Sequence, residues 1–214
     1  MDVWIVVVAG GSGARFGGPK QLAPLGDRRV LDWSIMAGAG LAAGVVVVVP
    51  SALLDELRPS LSSMAQVRAV VAGGATRSGS VRAGLAAVPA DAEVVVVHDA
   101  ARPLASAALF ERVIAAVVAG ADAAVPGVAV TDTLREVDGG AVDRTRFVAV
   151  QTPQAFRAAT LRRAHAGAGE ATDDASLVEA IGGKVVVVPG EPLNFKVTDP
   201  HDLVTARAVL GVTR

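Results

Sequence analysis

The chain of 214 residues contains no cysteine. That excludes disulfides, thiolate metal sites and a cysteine nucleophile, and it points to a reducing compartment. Charge of one sign is not in excess either: 20 basic residues stand against 21 acidic ones, for a formal net charge of -1. Without a global positive field, neither nucleic acid nor an anionic membrane is an expected partner, and any anion must be met by a local cluster of basic groups. Long hydrophobic runs are missing as well. Mean hydropathy is +0.49, yet every apolar run is soon broken by Gly, Pro or a charge, far short of the ~20 residues that a membrane span needs. The hydrophobicity is therefore assigned to a buried sheet. Met1 and Asp2 lead straight into a strand-like stretch without the basic region and small-residue cleavage site of a secretory signal, so the expected location is the cytoplasm. With no linker, long-period repeat or low-complexity tail, residues 1–214 read as one domain.

Four β-branched runs recur, Ile5 to Val8, Val45 to Val49, Val94 to Val97 and Val185 to Val188. A run without polar alternation is what a strand covered on both faces produces, which is the situation in a parallel sheet between helices. Val30 to Gly40, Ser78 to Ala87 and Ala105 to Ala119 have helical spacing and lie between those runs. The order predicts an α/β fold with a mostly parallel, doubly wound, Rossmann-like sheet. Thr133 to Val150 breaks the pattern: Asp138, Gly139 and Gly140 between mixed stretches signal an inserted β-hairpin arm at about residues 133–150. Such an arm either pairs between subunits, giving a homodimer, or is an ordinary surface hairpin. Asp199, Pro200 and Asp202 mark the start of a last helix over Leu203 to Leu210.

Residues 9–22, AGGSGARFGGPKQL, follow the first strand directly. They fall at the C-terminal edge of the sheet, where ligand sites of α/β folds form. Glycines 10, 11, 13, 17 and 18 allow backbone N–H groups to converge on phosphate oxygens, while Arg15 and Lys20 supply charge. A polyphosphate fits that chemistry; a mobile loop with two solvated basic residues is the alternative. The loop is not a dinucleotide fingerprint, since Phe16 stands where a third glycine is needed. Nor is it a Walker loop, since Pro19 precedes Lys20 and Gln21 follows it.

With Gly11, Gly13, Arg15, Pro19 and Lys20, the loop resembles the signature of nucleotidyltransferases in which the loop wraps a triphosphate. Alone it leaves sugar-nucleotide, molybdopterin and polyol-phosphate transferases open. The later motifs choose: HDAARP (98–103), TDTL (131–134), QTPQAF (151–156), TDDAS (172–176) and NFKVTDP (194–200) resemble, in order, those of 2-C-methyl-D-erythritol 4-phosphate cytidylyltransferases. The resemblance implies transfer of CMP from CTP to that polyol phosphate by in-line displacement, with Mg2+ carried by CTP and pyrophosphate as leaving group.

It also implies roles. Arg15, Lys20 and Lys196 are the catalytic cations. Nucleotide contacts fall to Ala9, Gly10, Gly11, Ser12, Gly13, Arg15, Lys20, Gly73, Gly74, Ser80, Asp99 and Ala100. Substrate contacts fall to Asp99, Arg102, Thr133, Arg144, Thr152, Thr172 and Lys196, with Arg144 reaching into the partner subunit's site. An Arg fork, a Lys and several hydroxyls suit a phosphate monoester bearing hydroxyl groups. Asp99 can hold a substrate hydroxyl or a magnesium-bound water. Arg102 can orient Asp99 or meet substrate, the bland reading being an Asp–Arg ion pair at a strand end. His98 reads as a structural hydrogen-bonder, Thr172 as a helix N-cap, and Asp173 with Asp174 as partners of the helix dipole rather than a metal pair. The chain departs from the family pattern after Gly74, where Ala75, Thr76 and Arg77 stand and relatives often carry an acid. Two rival functions stay open: transfer to another polyol phosphate, such as ribitol 5-phosphate, and a non-catalytic nucleotide-binding regulator.

Overall fold

The computed structural model describes residues 1–10, 16–167 and 169–213. In chain order the elements are β1 (Val3–Val8), β2 (Pro24–Leu25), β3 (Arg28–Arg29), α1 (Val30–Ala39), β4 (Gly44–Val49), α2 (Leu54–Ser62), β5 (Val67–Ala72) and α3 (Arg77–Ala86). Then follow β6 (Val94–Asp99), α4 (Ala107–Val118), β7 (Ala123–Ala129), β8 (Val148–Val150), β9 (Gln154–Arg157), α5 (Ala158–His165), α6 (Asp174–Ala180), β10 (Val185–Pro189) and α7 (Pro200–Leu210). The main sheet runs β10-β7-β9-β6-β1-β4-β5, with β8 added to β7. The β1–β4, β1–β6, β4–β5 and β7–β10 pairs are parallel, whereas β9 is antiparallel to both neighbours. All four valine runs are strands of this sheet, and the mostly parallel α/β architecture expected from them is the one observed.

The valine runs feed two cores at once. In β4, Val45, Val47 and Val49 pack with Leu31, Ile35, Leu61 and Phe110 on one face, while Val46 and Val48 pack with Val81, Leu85 and Leu161 on the other. Successive strand side chains point to opposite faces, so a strand buried on both sides has no position left for a polar residue. A third, smaller cluster joins the two ends of the chain: Leu25 and Val30 pack with Val197, Leu203 and Ala206 of the C-terminal segment. Arg207 Nη2 donates to the Pro24 carbonyl at 3.1 Å across the same seam. The last helix starts as its sequence dictates, since Asp199 caps α7, Pro200 is its first residue, and Asp202 completes a capping box.

The inserted arm at 133–150 is a short antiparallel hairpin. Its turn is present, with Glu136 N donating to Gly140 O at 3.1 Å, but the arm's own pairing is a single isolated bridge between Arg135 and Ala141. A 3-10 turn, Arg144–Arg146, follows, and Val148–Val150 leave the arm to join the main sheet as β8. Asp138, Gly139 and Gly140 favour the turn without supplying side chains to pair across it. One expectation needs correction: the N-cap of α6 is Asp173, whose side chain accepts from Ser176 N at 3.1 Å, and Thr172 is the residue before that cap.

One irregularity positions the site. Residues 148–157 run antiparallel to β7, but Val150 faces Gly127 and Ala155 faces Ala124. The facing segment thus takes five residue steps where β7 takes three. The surplus bulges out at Gln151–Gln154, around a cis Thr152–Pro153 peptide, and turns Thr152 toward the end of β6.

Candidate functional site

The C-terminal ends of the central strands lie side by side. Val8 at the end of β1 is in register with Asp99 at the end of β6, Ala9 N donates to Val48 O at 2.8 Å, and Gly73 N donates to Val49 O at 2.8 Å. The segments leaving these strands therefore meet. Ser80 sits between two of them: a Cβ on Gly10 would lie 3.1 Å from its Oγ, and one on Gly73 2.8 Å. Ser80 Oγ itself donates to Thr76 O at 2.9 Å. Ala9, Gly10, Gly73, Gly74 and Ser80, expected to contact the nucleotide, are thus brought together. Gln21 Nε2 donates to the Ala9 carbonyl at 2.8 Å and closes the loop on its own strand. Ala100 is buried, with its carbonyl taken by Ser34 Oγ at 2.9 Å. Gly11, Ser12, Gly13 and Arg15 lie outside the described residues. Lys20 opens a 3-10 turn, Lys20–Leu22, and its charge reaches Asp202; burial pushes the Asp202 carboxyl up, but hydrogen bonds from Thr198 and Asp199, with Lys20, bring it below its usual range.

Next to this edge opens a pocket of about 390 Å³ lined by Arg77, Asp99, Arg102, Val150, Gln151, Thr152, Gln154, Thr172, Asp173, Ser176 and Lys196. Asp99 is its charged centre. Lys196 Nζ lies 2.7 Å from one carboxylate oxygen and Arg77 Nε 3.6 Å from the other. Burial alone would push this carboxyl up; Lys196, then Arg77, outweigh it and hold it at about 2. Asp99 is therefore an anion throughout the physiological range, and it is framed by two cations from remote parts of the chain.

Around that centre the polar groups are locked. Asp99 N donates to Thr152 Oγ1 at 3.0 Å. His98 is fully buried against Phe110, with Nε2 3.2 Å from the Arg102 carbonyl and Nδ1 3.2 Å from Thr152 Oγ1. Since a carbonyl only accepts, Nε2 carries the proton and Nδ1 receives the Thr152 hydroxyl. Burial lowers the imidazole to about 4 and keeps it neutral, a structural hydrogen-bonder with both ring nitrogens engaged. Asn194 is fully buried, donating from Nδ2 to Thr152 O at 2.9 Å and accepting at its own backbone carbonyl from Arg102 Nη1 at 2.7 Å and Gln151 Nε2 at 3.1 Å. This lattice ties the segment bearing Lys196 to the bulge bearing Thr152.

Of the residues expected to meet substrate, the structure gathers Asp99, Arg102, Thr152, Thr172 and Lys196 around this pocket. Thr133 and Arg144 are exposed on the 131–147 stretch and are not among its lining residues. Arg144 Nη1 donates to the Thr131 carbonyl. Of the readings of Arg102, the ion pair with Asp99 is not the one found: among the described residues Asp99 pairs with Lys196 and Arg77, while Arg102 clamps Asn194 at the pocket wall. Asp174 stands in the first turn of α6, where a dipole partner is expected, and is in addition a fully buried carboxylate held by Arg77 and His165. Arg77 and Asn194 went unassigned because their partners lie far away in sequence, Asp174 for the one and Thr152 and Arg102 for the other, although Asn194 sits inside a motif named above.

An α/β domain with a polar, cation-framed pocket beside a glycine-rich loop at the C-terminal edge of its sheet belongs to the nucleotide-binding transferase class. The family model described as IspD, 2-C-methyl-D-erythritol 4-phosphate cytidylyltransferase, matches residues 3–212, and the chain belongs to that family. It is 46% identical over 215 residues to the 2-C-methyl-D-erythritol 4-phosphate cytidylyltransferase of Rhodococcus opacus, covering 96% of this chain and 93% of that protein. It is 47% identical over 221 residues to the bifunctional enzyme IspD/IspF of Clavibacter michiganensis, covering 97% of this chain but only 54% of the relative's length. The crystal structure of 2-C-methyl-D-erythritol 4-phosphate cytidylyltransferase from Thermus thermophilus superposes with a TM-score of 0.81 at 40% identity, covering 99% of this chain and 100% of that one.

Proposed function

We propose that this chain transfers CMP from CTP to 2-C-methyl-D-erythritol 4-phosphate, releasing pyrophosphate. The observation that carries the reading is the Asp99–Lys196 pair in a pocket that also holds Thr152, Thr172 and Arg102, next to the loop that contains Lys20. Family membership supplies the chemistry to which that arrangement is read. A phosphate oxygen of the acceptor attacks the α-phosphorus, the bond to the bridging oxygen breaks, and pyrophosphate departs with the electron pair. Lys20 and Arg15 meet triphosphate charge, and Lys196 turns from Asp99 to the acceptor phosphate. Positioning and preorganised charge do the catalysis, with no covalent intermediate.

Magnesium belongs to this reading as the ion that arrives with CTP. Among the described residues no group of three or more His, Asp or Glu could hold a metal. Asp99 offers a single carboxylate whose oxygens already face Lys196 and Arg77, so the ion would be held mainly by phosphate oxygens and water, with Asp99 acting through one of those waters. When bound, the ion neutralises phosphate charge and polarises the α-phosphorus. We also propose a single catalytic domain acting in the cytoplasm as a homodimer. Among the described residues no helix is long and apolar enough to cross a membrane. Exposed Val137, Phe147, Val148 and Val150 on the arm and β8 supply an apolar surface for a second copy, and Arg144 on the same stretch would complete the partner's site.

Pyrophosphate release tests the activity. CTP with methylerythritol phosphate is expected to be strongly preferred over ATP, GTP and UTP and over ribitol 5-phosphate as acceptor; preference for ribitol 5-phosphate would move the substrate, and release with no pair would point to a nucleotide-binding regulator. For the dimer, an Arg144→Ala subunit mixed with a Lys20→Ala subunit is expected to regain activity, and confirmed heterodimers without any recovery would remove the shared site.

A further inference from the structure

The buried Asp174 marks a device that the transfer reaction as described does not use. Its carboxylate is fully inaccessible, yet it receives His165 Nε2 at 2.9 Å on Oδ1 and Arg77 Nη1 at 2.7 Å on Oδ2. A buried ion is costly unless partners satisfy it from more than one side, so this pair is a fixed point in the core. His165 ends α5 and Asp174 begins α6, which anchors the point to two helices. Arg77 begins α3 and extends from that point to the rim of the pocket, where its Nε lies 3.6 Å from Asp99 Oδ1. Asp99 Oδ2 is taken by Lys196 Nζ at 2.7 Å.

We propose that Arg77 is a positioning residue: anchored on the buried Asp174–His165 pair, it fixes the Asp99 carboxylate in the orientation from which Lys196 is presented to the acceptor phosphate. The inference rests on the proposed transfer reaction. A guanidinium is suited to it because the fork is planar and rigid, so Nη1 on Asp174 determines where Nε lies, and Nε in turn orients Asp99. When Lys196 leaves Asp99 for a phosphate, Arg77 remains as the counter-charge that keeps Asp99 in place. A lysine could pair with either carboxylate but could not transmit orientation between them.

The test is R77K, which keeps the charge and removes the fork. Turnover with CTP and methylerythritol phosphate is expected to fall roughly tenfold or more, as for loss of a group that orients catalytic machinery, with KM for CTP changing less than about threefold. Adding R77K to D99N should cost nothing further, because the effect runs through Asp99. A crystal structure of R77K is expected to show the Asp99 carboxylate turned from its wild-type orientation with the Asp174–His165 pair intact. Asp99 unmoved would overturn the proposal; if turnover had nevertheless fallen, Arg77 would be meeting substrate itself. Should wild type release no pyrophosphate from any acceptor, the activity reading fails while the crystallographic comparison still decides the role of Arg77. If R77K does not fold, D174N, which keeps the shape and removes the anchoring charge, is expected to turn the Asp99 carboxylate likewise, and Asp99 unmoved in that variant would overturn the proposal.

Discussion

Gly84→Ala puts the packing of helix on sheet to a direct test. Gly84 lies on the face of α3 that rests on β1 and β4, and an added Cβ would stand 2.4 Å from Val6 Cγ1 and 2.9 Å from Val48 Cγ2. Carbon atoms settle at about 3.5–4.0 Å, so relief requires α3 to retreat by roughly 1 Å. Val6 and Val48 are fully buried, β-branched and surrounded on the same face, and have no free rotamer to move into. Overpacking of this kind costs about 1–3 kcal/mol. For a chain of this size each kcal/mol lowers Tm by about 2–4 °C, so a fall of about 4–8 °C is expected for a cost near 2 kcal/mol. Because Arg77 and Ser80 are carried on the same helix, KM for CTP should rise along with the loss of stability. Differential scanning fluorimetry and steady-state kinetics read the two effects. Alanine gains about 1 kcal/mol over glycine inside a helix, so a Tm clearly above wild type would refute the close-packing argument, since it would leave no overpacking cost to set against that gain. A lowered Tm with unchanged KM would show that α3 shifts without carrying the site.

Asp99 also makes stability depend on acid. Its carboxyl sits at about 2 in the folded protein against the usual 3.8, so the folded state binds its proton later than the unfolded chain does. The stabilisation, about 2 kcal/mol, is complete above about pH 4 and disappears as pH falls toward 2; Asp99→Asn should flatten this part of a urea-denaturation series, and an unchanged slope would refute it. Asp202→Ala removes the capping box of α7 and the acceptor for Thr198 N and Oγ1, at 2.6 and 2.8 Å. A loss of about 1–2 kcal/mol in urea denaturation is expected, and none would show that the cap is redundant. Lys20→Ala should depress turnover about 10²-fold or more while Tm stays within a few degrees; turnover near wild type would remove Lys20 from the catalytic set.

The central strands were legible because burial on both faces leaves an unbroken apolar run, and α7 because its cap residues are local. The strands between β10 and β6 were not. β7, AAVPGVA, carries a proline and a glycine that local rules place in turns, yet Pro126 keeps a useful carbonyl, which accepts Gln151 N at 2.8 Å. Gly127 is required there because a Cβ would lie 2.7 Å from Val187 Cγ1 and 3.0 Å from Val148 Cγ2. Proline and glycine serve as strand residues for tertiary reasons that local propensity cannot contain. The site followed the same division. Asp99, Thr152 and Lys196 could be picked from motifs, whereas the work of Arg77 exists only once Asp99 and Asp174, both remote in sequence, are placed on either side of it.

The small cluster that joins Leu25 and Val30 to Val197, Leu203 and Ala206 orders the birth of the enzyme. As the chain emerges from the ribosome, the central strands can assemble early, but the flank of the phosphate loop stays uncovered until the last residues of α7 arrive, and Lys196 comes shortly before them. A chain that stops before α7 would lack the partners that cover Leu25 and Val30, and one that stops before residue 196 would also lack the lysine that faces Asp99.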